Sequence, residues 1–240
     1  MMNLIVDIGN SSVKAALMQD GRIISHSRLV SSEPRIVSSF IGRRRIDRVM
    51  ISSVGADPSP LIAWLGTKAG SVHLLTSDSV YPFDIEYSTP GTLGTDRLAA
   101  AAGAVYHHPG ADLLVIDAGS AMTLDQVTGG IYRGGCISPG LSMRFRALHE
   151  FTGRLPLVKA GTDFSFPGTS TEDAIAGGVM MGMVYEINEY IRTFGEKHPK
   201  PVTVITGGDG EILSGLTSGE VYYYPDLVTE GLNYLLEENA

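Results

Sequence analysis

Short apolar segments that end in polar turns organise this chain. Residues 3–8 form a mostly apolar run that leads into Gly9-Asn10-Ser11-Ser12, and residues 113–118 repeat the design halfway along, before Gly119-Ser120. Runs of this length that are closed by glycine are typical of buried strands. A third run, residues 202–205, leads into Thr206-Gly207-Gly208. The pattern predicts that the chain has two related halves, each opening with a buried strand and a glycine turn.

Hairpins follow both opening strands. Asp20-Gly21 separates apolar residues 13–17 from residues 22–24, and Thr128-Gly129-Gly130 separates residues 122–127 from residues 131–134. An Asp-Gly pair between two such segments is a strong indication of a tight β-hairpin. Because turn and hairpin recur in the same order, we expect an N-terminal half at residues 1–112 and a C-terminal half at residues 113–240.

The remaining pattern alternates strands and helices, which is typical of an α/β protein. Strands are predicted at residues 49–54 and 71–75, and helices at residues 60–69, 98–106 and 174 to about 193. The last of these helices carries a stripe of glycine and methionine. Such a stripe belongs more often to a core or a dimer interface than to a cofactor site.

Composition narrows the class of protein. No stretch approaches the ~20 apolar residues of a membrane helix, and Asp7 interrupts the first apolar run too early for a secretory signal, so we expect a cytoplasmic protein. The formal net charge of −8 disfavours nucleic acid and anionic membranes as partners. The single cysteine, Cys136, rules out an internal disulfide and is expected to be a small buried residue. The histidines show no zinc-binding spacing, so no structural metal is expected.

Candidate chemistry lies at the glycine turns. A strand that delivers a carboxylate such as Asp7 into a turn rich in backbone donors can hold a phosphate chain and its metal ion. The alternative for Asp7 is a plain hairpin in which the carboxylate caps the turn.

A set of motifs in fixed order carries a resemblance. The motifs are Asp7-x-Gly9-Asn10-Ser11-x-x-Lys14, Tyr87-x-x-Pro90-x-x-Leu93-Gly94-x-Asp96-Arg97, Asp117-x-Gly119-Ser120-Ala121, Gly134-Gly135-x-Ile137-x-Pro139-Gly140 and Thr171-x-x-Ala174-Ile175. The chain resembles the type III pantothenate kinases over nearly its whole length. Ser11 and Ser120 replace the family's usual threonines, which keeps the hydroxyl and loses a methyl group.

The resemblance implies an α/β fold of the acetate and sugar kinase, Hsp70 and actin superfamily, with two ribonuclease-H-like halves and the active site in the cleft between them. It implies ATP-dependent phosphorylation of pantothenate to 4′-phosphopantothenate, the first step of coenzyme A biosynthesis. The implied cofactors are Mg²⁺ with the ATP and a monovalent cation, K⁺ or NH₄⁺, and the implied assembly is a homodimer.

The resemblance also assigns roles to residues. Asp96 is the implied catalytic base. ATP would be bound by Asp7, Ile8, Gly9, Asn10, Ser11, Ser12, Val13, Lys14, Ser120, Gly207 and Gly208. Pantothenate would be bound by Tyr87, Gly94, Thr95, Asp96, Arg97 and Thr171. Asp117 would hold the monovalent cation, and Asp7 the magnesium ion through water.

Simpler roles stay open for several of these residues. Thr95 or Asp96 is a suitable N-cap for the helix at residues 98–106, and Thr171 is suited to begin the next long helix. Arg97 is compatible with a structural salt bridge, and Gly207-Gly208 with an ordinary tight turn.

Two other functions stay open as well. One is a kinase of the same superfamily with another small acceptor, because superfolds share their ATP turns while acceptor pockets differ. The other is a non-catalytic transcriptional accessory factor of the same family. Retention of Asp7, Lys14, Asp96 and Arg97 favours catalysis.

Overall fold

A computed structural model describes residues 1–239 of the chain. The chain forms two compact units. The first contains Met1–Pro109 together with the C-terminal segment that begins at Asp226, and the second is Gly110–Pro225.

Strands and helices alternate along both units. In chain order they are β1 (Met2–Ile8), β2 (Val13–Gln19), β3 (Arg22–Leu29), α1 (Pro34–Ile41), β4 (Ile46–Ser53), α2 (Ser59–Leu65), β5 (Ala69–Leu74), β6 (Asp84–Ile85), a 3-10 turn (Pro90–Thr92), α3 (Thr95–His107), β7 (Asp112–Ala118), β8 (Ala121–Thr128), β9 (Ile131–Pro139), α4 (Leu141–Glu150), α5 (Thr171–Lys197), β10 (Pro201–Thr206), α6 (Gly210–Ser214), β11 (Tyr222–Tyr223) and α7 (Leu227–Glu238). The predicted α/β pattern is therefore confirmed.

The first unit is built on a mixed sheet in the order β3-β2-β1-β4-β5. Strand β2 is antiparallel to β1 and β3, whereas β4 is parallel to β1 and β5. The hairpin turn lies at Asp20 and Gly21, with φ of 51° and 75°. Two successive positive φ angles are the geometry that a tight hairpin requires, so this predicted turn is confirmed.

The second unit repeats this plan. Its strands lie in the order β11-β10-β7-β8-β9, with β8 antiparallel to β7 and β9, and β10 parallel to β7 and β11. Each strand of the first unit's five-stranded sheet thus has a counterpart with the same direction and the same neighbours within this series. The internal repeat that the sequence indicated is present in the topology.

The C-terminal helix differs from the predicted division of the chain. The sequence pattern placed everything after residue 112 in the second half, but α7 packs along α3 in the first unit. Its buried face includes Leu232 and Leu236, and Asn233 Oδ1 accepts a hydrogen bond of 2.8 Å from Asn3 Nδ2 of β1. Burying this apolar face accounts for the return of the chain to the first unit.

Two expectations about individual side chains have opposite outcomes. Cys136 is exposed on β9, so the expected burial is wrong. Residues 135–137 of β9 are all exposed, so both faces of the strand are uncovered at this point. The methionine stripe of α5 does contribute to the core, since Met180 and Met183 are fully buried. Among residues 1–239, no helix has both the length and the apolar character needed to cross a bilayer.

Candidate functional site

The first glycine turn places a short row of polar side chains on one face of the first sheet. Asp7, near the end of β1, is the register partner of Lys14 on β2 and of Ser52 on β4. Register partners on neighbouring strands lie on the same face and in contact distance. The row therefore presents an ammonium, a carboxylate and a hydroxyl side by side.

The Asp7 carboxyl is held in an unusual electrostatic environment. Its pKa is raised to about 6, mainly by burial and in part by the nearby Asp96 carboxylate, while Lys14 and a hydrogen bond from Ser52 act against these effects. Its Oδ1 is buried and has no hydrogen-bond partner within the described chain. Such an atom is costly to bury unless a partner satisfies it. A cation or its bound water fits this oxygen, which matches the expected magnesium ligand.

The turn itself is tight. Gly9 N donates a hydrogen bond of 3.0 Å to the Ser12 carbonyl, while Asn10 and Ser11 are exposed at its tip. A turn closed in this way leaves neighbouring N–H groups and hydroxyls directed outward, which is the kind of donor set that binds an anion.

Helix α3 begins beside the same row. Its N-cap is Gly94, which makes no side-chain cap, so the expectation that Thr95 or Asp96 caps the helix is wrong. Thr95 Oγ1 instead lies 3.0 Å from Ser52 Oγ, and Asp96 Oδ1 accepts a hydrogen bond of 2.9 Å from the adjacent Arg97 N. A Cβ at Gly94 would overlap Asp96 Oδ1, so glycine makes room for this carboxylate.

Arg97 and Tyr87 form the next part of the site. Arg97 is 6% exposed although it carries a charge, and its Cζ lies 5.9 Å from the centre of the Tyr87 ring. An arginine held over an aromatic face keeps its guanidinium oriented. The structure thus brings five of the expected substrate residues together in the first unit: Tyr87, Gly94, Thr95, Asp96 and Arg97.

The second turn lies at the same place in its sheet as the first, with different side chains and one residue fewer. Asp117 on β7 is the register partner of Thr123 on β8 and of Thr206 on β10. Gly119 N donates a hydrogen bond of 3.1 Å to the Ala121 carbonyl two residues on, whereas Gly9 N donates to the Ser12 carbonyl three residues on. Ser120 is exposed at the tip of the turn. The row here consists of a carboxylate between two hydroxyls.

Gly207 closes this second turn. Its φ of 94° is disfavoured for other residues, and an added Cβ would lie 2.5 Å from Asp117 Oδ1 and from the Ala118 carbonyl oxygen. Glycine therefore lets the backbone after β10 approach the carboxylate and a carbonyl closely. The Asp117 carboxylate and the two hydroxyl residues beside it are oxygen donors that fit the expected monovalent cation. Gly208 follows and is exposed.

Thr171 is the expected substrate residue of the second unit. It is the first residue of α5 and is exposed, and the N-cap is Ser170, whose hydroxyl accepts a hydrogen bond of 3.1 Å from Asp173 N. The alternative in which Thr171 caps the helix is wrong. Its hydroxyl is not committed to the helix end.

Three residues of these rows were not predicted from the sequence: Ser52, Thr123 and Thr206. Strand register is what places them beside the two turn aspartates. The one available sign was a polar residue near the end of an apolar strand, as in Ser52-Ser53 after residues 49–51.

Solved structures define the fold. The chain is similar over its full length to a ROK family glucokinase from Streptomyces griseus solved with glucose and AMPPNP, with a TM-score of 0.58 and 15% identity, covering 100% of this chain and 99% of the other. It is also similar to a conserved Baf family protein from Campylobacter jejuni, described provisionally as a transcriptional activator, with a TM-score of 0.65 and 24% identity over 98% of both chains. The class is that of the actin-like ATPase and sugar kinase fold.

Sequence relatives define the family. The sequence model of type III pantothenate kinase matches residues 3–193. The chain is 40% identical to a type III pantothenate kinase from Porphyromonas gingivalis strain W83, covering 99% of both sequences. A type III pantothenate kinase from Christiangramia forsetii is 37% identical, again with 99% of both covered. The chain belongs to the type III pantothenate kinase family.

Proposed function

We propose that this protein transfers the γ-phosphoryl group of ATP to the primary hydroxyl of pantothenate, giving 4′-phosphopantothenate for coenzyme A biosynthesis. Full-length membership of the family supports the reaction. The observation that supports it most directly is the arrangement of charged groups in the first unit. The Asp96 carboxylate and the buried Arg97 lie at the start of α3, and Asp96 is close enough to Asp7 to raise the pKa of that carboxyl.

Asp96 is the catalytic carboxylate in this proposal. It orients the pantothenate hydroxyl toward the γ-phosphorus and accepts its proton as the new bond to phosphorus forms. In a loose phosphoryl-transfer transition state the hydroxyl keeps its proton until late, so orientation contributes alongside basicity. Its half-buried position and its hydrogen bond from Arg97 N fix the carboxylate for this task.

Arg97 pairs with the pantothenate carboxylate. A guanidinium offers a planar set of donors that suits a carboxylate, and stacking over Tyr87 preorients it. Tyr87, Gly94 and Thr95 complete the contacts from the first unit, and the exposed Thr171 hydroxyl contributes from the second.

The first turn binds the phosphates of ATP. The proposed binding residues are Asp7, Ile8, Gly9, Asn10, Ser11, Ser12, Val13 and Lys14, joined by Ser120, Gly207 and Gly208 of the second unit. Lys14 supplies a fixed positive charge, and the backbone of the turn supplies donors. Magnesium held by Asp7 through water neutralises phosphate charge when it is bound.

Asp117 holds a monovalent cation, potassium or ammonium. Its register partners are both hydroxyl residues, and Gly207 lets the backbone approach Asp117 Oδ1 closely. A monovalent cation neutralises this carboxylate so that it does not repel a nearby polyphosphate.

Homodimerisation in the cytoplasm, without nucleic acid or membrane partners, completes the proposal. The second unit exposes large apolar side chains on successive elements, including Ile137 of β9, Met143 of α4 and Tyr185 of α5. Light scattering at micromolar concentration tests this part, and a monomeric mass contradicts it.

The activity is tested with a panel of acceptors. Purified protein is incubated with ATP, Mg²⁺ and K⁺ together with pantothenate, glucose, N-acetylmannosamine or glycerol in separate reactions, and products are identified by mass spectrometry. The expected result is a phosphorylated product from pantothenate alone. A faster reaction with a sugar would assign another acceptor, and ATP binding without any product would favour the regulatory alternative.

A further inference from the structure

Ser52 is a fully buried polar residue that no role above uses. It is 0% exposed and lies near the C-terminal end of β4. It is the register partner of Asp7, whose pKa the Ser52 hydroxyl lowers, and its Oγ lies 3.0 Å from Thr95 Oγ1. Ser52 is therefore the link between the end of β1 and the start of α3.

The hydrogen-bond inventory fixes the direction of this link when Asp7 is ionised. A serine hydroxyl has one proton and two acceptor lone pairs, whereas a carboxylate only accepts. Ser52 must then donate to Asp7 and accept from Thr95. The single proton of Thr95 is committed to Ser52, so Thr95 Oγ1 is left as an acceptor for any further partner.

The second unit provides an independent parallel. Thr206 occupies the position on β10 that Ser52 occupies on β4, beside the turn aspartate Asp117, and it is 1% exposed. Buried polar side chains are costly unless they are hydrogen-bonded. Both sheets therefore place a buried hydroxyl residue beside the turn carboxylate.

We propose that Ser52 is a positioning residue of the phosphotransfer site. It holds the Asp7 carboxylate and the Thr95 hydroxyl in one arrangement, and it makes Thr95 a hydrogen-bond acceptor for a donor group of the bound acceptor substrate. The adjacent Asp96 is thereby fixed with respect to Asp7. This inference rests on the proposed function for its kinetic consequence, but not for the hydrogen-bonded link itself.

The kinetic test compares Ser52→Ala, Thr95→Val and the double variant with wild type. Ser71→Ala is the matched control, because Ser71 lies on the edge strand β5 and its hydroxyl contacts His73. We expect Ser52→Ala to lower kcat about tenfold, with a change in KM for ATP of less than about twofold. The double variant should be no slower than the slower single variant, since both remove the same link. Ser52→Thr, which copies Thr206, should recover most of kcat.

The outcomes separate positioning from packing. Any one of three results would overturn the proposal. They are a kcat for Ser52→Ala equal to that of Ser71→Ala, effects on kcat that multiply in the double variant, and no recovery of kcat in Ser52→Thr. Should Ser52→Ala fail to fold, Thr95→Val and Ser52→Thr give the same decision, since the first must lower kcat and the second must preserve it.

A second readout needs no activity. Denaturant unfolding of the same variants without ligands gives a double-mutant cycle between Ser52 and Thr95. The proposal predicts a non-additive cycle, and additivity contradicts it. If wild type fails to phosphorylate pantothenate while the cycle is non-additive, the proposed function is wrong and the link stands.

Discussion

The two glycine turns occupy the same place in their sheets and differ in charge. In the first unit the turn aspartate, Asp7, lies between Lys14 and Ser52, while in the second unit Asp117 lies between Thr123 and Thr206. The strand order and the strand directions are the same in both, and a glycine N–H closes each turn, although the second turn is one residue shorter. Only the first row contains its own positive charge.

This difference indicates how one duplicated scaffold serves two tasks. A lysine beside a carboxylate stabilises the ionised form and leaves a fixed cation for phosphate oxygens. A carboxylate between two hydroxyls forms a set of oxygen donors, which suits a metal ion supplied from solution. The residue types at the equivalent register positions on the neighbouring strands, rather than the loop sequence, determine which of the two chemistries each turn has.

Replacing the catalytic carboxylate gives the largest expected effect. Asp96→Asn should lower kcat by about 10²- to 10⁴-fold, because the amide does not accept the hydroxyl proton. Binding of ATP, measured by calorimetry, should change little. Unchanged turnover would remove Asp96 from the mechanism.

The two turn aspartates provide a direct comparison. Asp7→Asn should lower kcat about 10²-fold at any potassium concentration, because a charge at the phosphates is lost. Asp117→Asn should lower kcat about tenfold and abolish the response to potassium. The measurement is a potassium titration of kcat for both variants. If both respond to potassium as wild type does, the assignment of the cation to Asp117 is wrong.

Asp7 also gives a stability difference with a defined sign. Its pKa is raised from 3.8 to about 6 by burial, so the folded state binds this proton more tightly than the unfolded state. The free energy of unfolding therefore falls as the pH rises from 3.8 to 6, and above that range the full cost of burying the ionised carboxylate is present. In EDTA at pH 7.5, Asp7→Asn should be more stable than wild type by at most ~3 kcal/mol.

The control for this prediction is the pH itself. Near pH ~3.5 the Asp7 carboxyl of folded wild type is protonated, so it is as uncharged as the asparagine of the variant. Urea unfolding of wild type and Asp7→Asn should therefore give the same free energy of unfolding there. A difference that does not vary with pH would show that the substitution acts through packing.

Gly94→Ala should give a smaller effect, confined to activity. The new Cβ overlaps Asp96 Oδ1, so the carboxylate must rotate away. The backbone φ of −61° at Gly94 tolerates alanine, and the thermal midpoint should stay close to that of wild type. We expect a loss in kcat of about tenfold. Gly91→Ala is the matched control, since an added Cβ there has no atom within 4 Å. Equal kcat values for the two variants would contradict the steric argument.

Local sequence patterns were sufficient for some features and insufficient for others. The Asp20-Gly21 hairpin and the buried strands follow from short-range chemistry, and the structure confirms them. The placement of α7 does not follow from short-range chemistry, because it depends on which apolar face of the folded first unit is left uncovered. The exposure of Cys136 depends on which part of β9 the rest of the fold leaves uncovered, which an isolated cysteine does not reveal.

The residues of the candidate site also divide into those that a local pattern predicted and those that it did not. Asp7, Asp96 and Arg97 were identified because they stand in motifs of fixed spacing. Ser52 stands in no motif, and Thr206 was noted only as the start of a glycine turn. Both reach the turn aspartates through parallel pairing across more than forty residues in one unit and more than eighty in the other. Pairing at that distance is set by the whole sheet, so no local pattern predicts it.

The most direct test of the charge difference between the two rows is to place a positively charged side chain in the second row. Thr123→Lys places an ammonium beside Asp117, as Lys14 stands beside Asp7. The measurement is the ratio of kcat with saturating potassium to kcat without potassium, for wild type and for Thr123→Lys. The account predicts a ratio of about ten or more for wild type and a ratio near one for the variant. A wild type indifferent to monovalent cations, or an active variant that keeps the wild-type ratio, would contradict it.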